Sequence, residues 1–238
     1  MADSKSGSDG KSTGTLVGGV GGTLTGTSAI DTVTYNMPFS TVSISHSEAG
    51  KSDSGDSWTV GYSSGSGGKT GGTSGSDTLV DIERMSFSDG THVALDVLQW
   101  EDSAGAALAL CYAGFGGMPD AETLGHWIYE ADNASTSSKS GSSEPQARIE
   151  HVAQSILDYY VPGGIDNGSL VQILFSNVVG RAPDPAEQSI FTNALDQGQF
   201  TPASLFALAA ETDMNTGHYI DLVGSGVVYT PYSSSKTG

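Results

Sequence analysis

Gly116-Gly-Met-Pro-Asp-Ala-Glu122 and Gly180-Arg-Ala-Pro-Asp-Pro-Ala-Glu187 are two near copies of one short sequence, 64 residues apart. Each copy places a glycine, which can end a helix, shortly before a Pro-Asp pair, whose Asp can cap the next helix. The same spacing aligns Trp127 with Phe191. The repeat therefore predicts a duplicated helical unit.

The residues around each Pro-Asp pair fit the start of a helix. Asp120 is the expected N-cap of a helix whose apolar stripe has helical spacing. Asp184 caps its counterpart, with Glu187 placed as in a capping box. Arg181 is expected to cover the carbonyl groups at the end of the preceding helix. We therefore predict structural roles for Asp120, Arg181 and Asp184. The apolar stripe after Asp120 consists of Leu124, Trp127, Ile128 and Ala131.

Helical periodicity continues through the C-terminal part of the chain. Residues 98–238 are predicted to form an all-helical domain of six or seven helices. The two related units are expected at about 104–160 and 168–224. A polar stretch rich in Ser and Thr, 134–144, is expected to be a loop between them.

The N-terminal part has a different character, because it is rich in Gly, Ser and Thr and apolar residues alternate with polar ones. Residues 28–97 are therefore predicted to form an antiparallel β domain of about five strands. Together with the C-terminal half, this makes the chain an α+β protein with segregated elements. The strand-like segments are Asp31–Tyr35, Ser40–Ser45, Trp58–Tyr62, Asp77–Ile82 and His92–Leu95.

Residues 1–27 mix a few aliphatic side chains into a glycine background. Two interpretations are open. The segment is either a flexible linker or an arm that donates a strand to the sheet edge of a neighbouring subunit. In the second case the assembly residues are Leu16, Val17, Val20 and Leu24.

Two segments of the N-terminal half resemble the β modules that flank calcium-binding glycine-aspartate repeats in bacterial type I secreted proteins. They are Gly26-Thr-Ser-Ala-Ile-Asp-Thr-Val-Thr-Tyr35 and the longer Gly75–Asp96, which contains Asp77-Thr-Leu and Phe87-Ser-Asp-Gly90. Tandem calcium-binding nonapeptides are absent from the sequence. The resemblance implies secretion and calcium as a cofactor, with Asp31, Asp77 and Asp89 as the metal ligands.

The C-terminal half resembles a small helical domain known as domain of unknown function 4214. The resemblance covers about residues 104–225, and its best copy is Leu174-Phe-Ser-Asn-Val-Val-Gly-Arg-Ala-Pro-Asp-Pro-Ala-Glu187. The first copy has Gly117 in place of the Arg. The resemblance implies a secreted or surface-layer-like bacterial protein and implies no enzymatic activity.

Charge and hydropathy exclude several classes of function. Nine Lys and Arg against 27 Asp and Glu give a net charge of −18, which disfavours nucleic acid as a partner. No apolar run approaches the roughly 18 to 20 residues that a membrane span needs. The N-terminus lacks the apolar stretch of a signal peptide, so an extracellular or cell-surface location implies another export route. Cys111 is the single cysteine and is expected to be buried, so no intramolecular disulfide forms.

Catalytic motifs give no support for an enzyme. Gly61-Tyr-Ser-Ser-Gly65 matches the pattern of a nucleophile elbow, but the Gly/Ser-rich sequence after it does not predict the required helix. The five histidines are far apart and form no metal-binding pair. We therefore expect no catalytic residues and no enzymatic activity.

These observations favour an extracellular structural protein that self-assembles into a surface layer, sheath or filament. Its partner is then another copy of the chain, in a homo-oligomer or polymer. The alternative is an adhesin or calcium-dependent ligand-binding module, with a cell-surface glycan as a partner. A hydrolase remains open only if distant carboxylates converge, and a viral structural component would have the same features.

Overall fold

The computed structural model describes residues 15–47, 57–63, 74–134 and 144–233. The predicted α+β class is confirmed, with strands mostly in the N-terminal half and helices in the C-terminal half. The chain divides into two compact units, residues 1–89 and 90–238. None of the helices in the described ranges combines the length and the apolar character needed to cross a bilayer.

The first unit contains seven strands among its described residues, arranged in two sets. One set runs β1, β3, β7 and the other runs β2, β6, β5, β4. Parallel pairs join β1 to β3, β3 to β7 and β2 to β6, whereas β4, β5 and β6 pair in antiparallel fashion. The strands are β1 (Thr15–Val17), β2 (Gly22–Thr25), β3 (Thr32–Tyr35), β4 (Val42–Ser47), β5 (Ser57–Ser63), β6 (Ser74–Val80) and β7 (Arg84–Phe87).

The predicted antiparallel pairing is therefore wrong for part of this unit. The chain visits the two sets in alternation, from β1 to β2, then to β3, then through β4, β5 and β6, and finally to β7. Strands that return to the same set after a crossover run in the same direction. Alternation of apolar and polar residues assigns a face to each side chain but does not choose the partner strand, so the sequence pattern could not distinguish the two arrangements.

The apolar residues that alternate along these strands form the core of the first unit. Val33 and Tyr35 on β3, Leu79 on β6 and Met85 on β7 are completely buried. The two aromatic rings of Tyr35 and Phe87 stack at 5.5 Å. Burial of one face of each set supplies the main stabilising energy of a sheet with so few large side chains.

The second unit consists of seven helices and one pair of strands among its described residues. Its core includes Trp127, which is 1 % exposed, and α1, which is buried along almost its whole length. The elements are β8 (His92–Ala94), α1 (Ser103–Phe115), α2 (Ala121–Asp132), α3 (Glu144–Tyr160), α4 (Asn167–Val179), α5 (Pro185–Asp196), α6 (Pro202–Ala210), α7 (Asp213–Thr216) and β9 (Val227–Tyr229).

Helices α1 and α2 recur 64 residues later as α4 and α5, with identical lengths of 13 and 12 residues. Gly116 and Gly180 end the first helix of each copy in the left-handed conformation, with φ of 74° and 77°. The two copies also contact each other, because the Asn177 side chain donates a 3.0 Å hydrogen bond to the Ala113 carbonyl oxygen. Asn177 occupies the position in α4 that corresponds to Ala113 in α1.

Two features of the predicted domain organisation differ from the structure. The division lies at Asp89 and Gly90, so the strand that contains His92 belongs to the second unit rather than to a β domain that ends at residue 97. The second unit is not all-helical, since β8 pairs with β9 and aligns Val93 with Val228. Strand β9 lies more than 130 residues from its partner, so no local sequence pattern could reveal this pairing.

Candidate functional site

Strand β1 is the outermost strand of one set in the first unit, and β2 is the outermost strand of the other set. We call residues 15–25, which contain both strands and their connection, the open edge. Among the described strands, β1 pairs only with β3, and β2 pairs only with β6. Each therefore has one side without a strand partner in the described part of the chain. Backbone groups on the outer side of such strands are available to pair with another strand.

This finding corrects the prediction of an arm over residues 1–27. Residues 1–14 lie outside the described part of the chain, but the following two strands belong to the protein's own sheets. Leu16 aligns with Val33, and Leu24 aligns with Leu79. These two leucines are thus part of the first unit's own core layers.

Burial decreases at the open edge. Val33 and Leu79 are fully buried, whereas Leu16 and Leu24, one strand further out in the same layers, are only half-buried. Val17 points away from this layer and is 55 % exposed. Val20, in the connection between the two strands, is 74 % exposed. All four predicted assembly residues consequently lie at one edge, two facing the core and two facing solvent.

The open edge carries neither charged side chains nor proline. Residues 15–30 contain no Asp, Glu, Lys, Arg or Pro. Soluble β proteins commonly protect edge strands with charged side chains, proline or bulges. In a chain with a net charge of −18, this stretch is an uncharged segment that offers no charge repulsion of its own.

Asp77 lies behind the open edge and holds its connection in place. The Asp77 carboxylate accepts hydrogen bonds from the backbone N–H groups of Gly19 and Gly21, at 2.7 and 2.9 Å. Both glycines have positive φ, at 88° and 77°, which favours glycine at these positions. Burial, followed by the negative charge of Asp77, raises the pKa of Tyr35. Asp77 is 1 % exposed and acts as a structural anchor.

Asp31 has a similar role in the turn between β2 and β3. Its carboxylate accepts hydrogen bonds from the backbone N–H and the hydroxyl of Thr27, at 2.5 and 2.7 Å. Its own N–H donates to the Glu83 carboxylate at 2.7 Å. The neighbouring Gly26 lies so close to the Asp81 carbonyl oxygen that an added Cβ would be 1.7 Å away. This turn therefore packs directly on the turn that follows β6.

The three predicted calcium ligands are not brought together. Asp89 is exposed and accepts a 2.9 Å hydrogen bond from the backbone N–H of Phe39, far from the bonds that occupy Asp31 and Asp77. The described residues contain no group of three or more His, Cys, Asp or Glu that could hold a metal ion. Since calcium needs six to eight oxygen ligands, Asp31, Asp77 and Asp89 do not fit a shared calcium site. Among the described residues each of the three carboxylates accepts a hydrogen bond within the first unit, and a metal role for any of them stays a prediction.

The predicted helix caps are found at Asp120 and Asp184. The Asp120 carboxylate accepts a 2.8 Å bond from the N–H of Thr123, and this hydrogen bonding lowers the Asp120 pKa. Asp184 accepts bonds from Ala186 and Glu187 and forms a complete capping box. These caps align the start of α2 and α5 in the two repeats.

Arg181 differs from its predicted role. It does not cover the carbonyl groups at the end of α4 but binds the Glu187 carboxylate through two nitrogens, at 2.7 and 2.8 Å. Its guanidinium also lies 5.1 Å from the centre of the Phe175 ring. Gly180 already ends α4. The Arg181 side chain instead links the end of α4 to Glu187 of the capping box.

This chain matches no protein-family model, no curated protein and no solved structure. The resemblances to the β modules of secreted calcium-binding proteins and to domain of unknown function 4214 therefore stay predictions.

Proposed function

We propose that this protein is an extracellular structural protein that self-associates through the open edge of its first unit. One observation carries the proposal. The buried aliphatic layers of the first unit end at Leu16 and Leu24 in a half-buried state, on strands that have no outer partner in the described part of the chain. A strand from a second copy would cover these leucines and pair with the backbone beside them.

Hydrophobic burial and backbone pairing act in the same direction at this edge. Covering an exposed aliphatic side chain completely is worth about 1.5 to 3 kcal/mol, and Leu16, Val17, Val20 and Leu24 all retain exposed surface. Strand addition also satisfies a row of backbone donors and acceptors without water. An edge of two short strands therefore has enough unsatisfied surface to support association of modest strength.

The absence of charged residues at the open edge favours it as the contact between two copies. Two molecules that each carry a net charge of −18 repel one another over most of their surface. Residues 15–30 add no charge to that repulsion. A second copy of this chain can therefore approach here with a smaller electrostatic penalty than at an acidic surface.

The symmetry of the contact decides what is built. Pairing of the open edge with the same edge of a partner closes a two-fold dimer, whereas pairing with a different surface propagates into a filament or layer. Strand β4 is the opposite edge of the set β2, β6, β5, β4 and is also free of acidic and basic residues other than His46. Pairing of β2 with β4 of the next copy would continue this set from one molecule to another, as a filament requires.

Light scattering coupled to size-exclusion chromatography tests the proposal on the full chain, with and without calcium. The double variant Val17→Glu, Thr25→Glu adds two negative charges at exposed positions of the open edge, and Ile190→Glu adds one at a position on α5 that is 64 % exposed. We expect the wild type and Ile190→Glu to form concentration-dependent oligomers and the double variant to remain monomeric with an unchanged circular dichroism spectrum. A wild type that stays monomeric at its highest soluble concentration, in both conditions, would contradict the proposal.

A further inference from the structure

The second unit contains an aromatic cleft between α2, the end of α3 and the segment that follows β9. Its volume is about 290 Å³. We define the aromatic cleft by six of its lining residues, Glu122, His126, Trp127, Tyr159, Tyr160 and Tyr232. Pockets of a few hundred cubic ångströms with aromatic walls and a few polar groups are the usual form of a small-ligand site.

The aromatic rings of the cleft are ordered by mutual stacking. His126 stacks on Trp127 at 4.4 Å and on Tyr232 at 4.5 Å, with an interplanar angle of 11° in each case. Tyr159 stands nearly perpendicular to His126 and to Trp127, at 86° and 85°. Trp127 is 1 % exposed whereas Tyr159 is 63 % exposed. The buried Trp127 ring therefore supports the rings stacked around it, and Tyr159 presents its ring to solvent.

The wall formed by the C-terminal segment is held by the backbone. The N–H of Thr230 donates a 2.8 Å hydrogen bond to the carbonyl oxygen of Ala121 at the start of α2. The Thr230 carbonyl oxygen lies so near Gly125 that an added Cβ would be 1.8 Å away. This close approach requires glycine at position 125 and fixes Tyr232 over α2. The cleft is thus preformed.

A second cleft of about 350 Å³ adjoins the first and shares His126, Trp127 and Tyr159 with it. It adds the polar side chains of Glu130, Ser155 and Asp158. Among the residues that the structure describes around the two clefts, there is no Lys or Arg. The pair of clefts therefore forms a groove on both sides of Tyr159, with carboxylate acceptor groups along it.

The indole nitrogen of Trp127 is closed off from this groove. Its indole Nε1 is buried and has no hydrogen-bond partner of good geometry within the described part of the chain. Burial raises the pKa of Tyr160, and the indole N–H acts in the opposite, weaker direction. The direction of this effect on the Tyr160 pKa indicates that the indole N–H donates to the Tyr160 oxygen, so Trp127 supports the groove rather than offering a donor to a ligand.

We propose that the groove binds a neutral oligosaccharide. The exposed ring of Tyr159 offers an apolar surface for the C–H face of a sugar ring, and Glu122, Glu130 and Asp158 offer acceptors for sugar hydroxyl groups. The same carboxylates would also attract a cationic ligand, so the test of this proposal includes one.

Isothermal titration calorimetry of the full chain tests this inference with cellohexaose, maltohexaose, mannohexaose and chitohexaose, and with spermidine as a cationic probe. We expect one or more of the neutral hexasaccharides to bind. Replacement of the exposed ring by Tyr159→Ala should weaken binding by on the order of tenfold, which corresponds to the loss of one aromatic contact. Tyr159→Phe retains the ring and should restore most of the affinity.

The variant Ile190→Ala is the matched control, because Ile190 is similarly exposed, at 64 %, and does not line either cleft. Its affinity should equal that of the wild type. Absence of binding to all four hexasaccharides would overturn the inference, and so would binding that Tyr159→Ala leaves unchanged. Binding of spermidine alone would also overturn it, in favour of a cationic ligand. None of these outcomes depends on self-association at the open edge.

Discussion

Arg181 and Glu187 form the best-defined ion pair among the described residues. The two hydrogen bonds from Arg181 are the main cause that lowers the pKa of Glu187 from 4.5 to about 2. The backbone N–H of Asp184 also donates to the Glu187 carboxylate, at 2.8 Å. The ion pair therefore links Arg181 to the residues that cap α5. This link explains why Gly180, Arg181 and the pair Pro183-Asp184 occur together.

We expect this coupling to depend on pH in a specific direction. Because the folded-state pKa of Glu187 is depressed, its stabilising contribution is fully present above the unfolded value of 4.5 and is lost as the pH falls through about 2. Titration of the Glu187 carboxyl by NMR should show a midpoint near 2, and Arg181→Gln should raise it. Arg148→Gln, whose Arg bonds to the Glu101 carbonyl, should not change the Glu187 midpoint. A normal Glu187 midpoint in the wild type would contradict the ion pair.

At the scale of the elements, Asn215 connects three helices of the second unit. It lies in α7, is completely buried, and its side-chain nitrogen donates to the carbonyl oxygens of Ala109 in α1 and Ala210 in α6, at 2.9 and 3.0 Å. Neither carbonyl can reach water, so both rely on this amide for their additional hydrogen bond. These two hydrogen bonds hold the short helix α7 against α1 and α6.

Removal of this amide should destabilise the second unit. We expect Asn215→Ala to lower its free energy of unfolding by about 1 to 3 kcal/mol, the usual cost of leaving buried polar groups without a partner. The measurement is urea denaturation followed by the helical circular dichroism signal. Asn167→Ala is the control, because Asn167 bonds to Asp196 at the surface, where water can replace the lost bond. Equal losses in the two variants would show that burial of Asn215 does not matter.

At the scale of the whole molecule, the division at Asp89 and Gly90 assigns β8 to the second unit. The residues that precede α1 contribute substantially to the core of that unit. Ala94 and Val97 are completely buried within it. Strand β8 also supplies the backbone partner of β9. A fragment that starts after this segment would leave both the core and β9 incomplete.

We therefore expect residues 90–238 to fold as an isolated fragment and to melt at a clearly higher temperature than residues 98–238, which follow the boundary expected from helical periodicity. The reason is the loss of buried Val93, Ala94, Leu95 and Val97 from the shorter fragment. Thermal melts monitored by circular dichroism compare the two directly. Identical melting temperatures would place the boundary near Leu98 instead.

The sequence predicted correctly those features that depend on residues close together along the chain. The caps at Asp120 and Asp184, the αL glycines at 116 and 180 and the 64-residue offset follow from side chains that act on backbone groups a few residues away. Burial of Cys111 was equally predictable, and it raises the pKa of the thiol to about 12. The three aspartates of the first unit show the opposite case. The resemblance to calcium-binding secreted proteins implied that they are metal ligands, but in the structure distant backbone N–H groups occupy Asp77, and Asp31 and Asp89 bind separate turns.

The sequence by itself thus determined the class of each half, the helical repeat and its caps, because periodicity and capping depend on neighbours along the chain. Only the tertiary structure decided that residues 15–25 are edge strands of the first unit, that β8 pairs with β9, and that His126, Trp127, Tyr159 and Tyr232 share one cleft. These features depend on contacts between residues about 15 to 140 positions apart. The alternation of apolar residues in a strand, or their helical spacing in a helix, shows which face of the element is buried. Which other element covers that face depends on the packing of the whole unit.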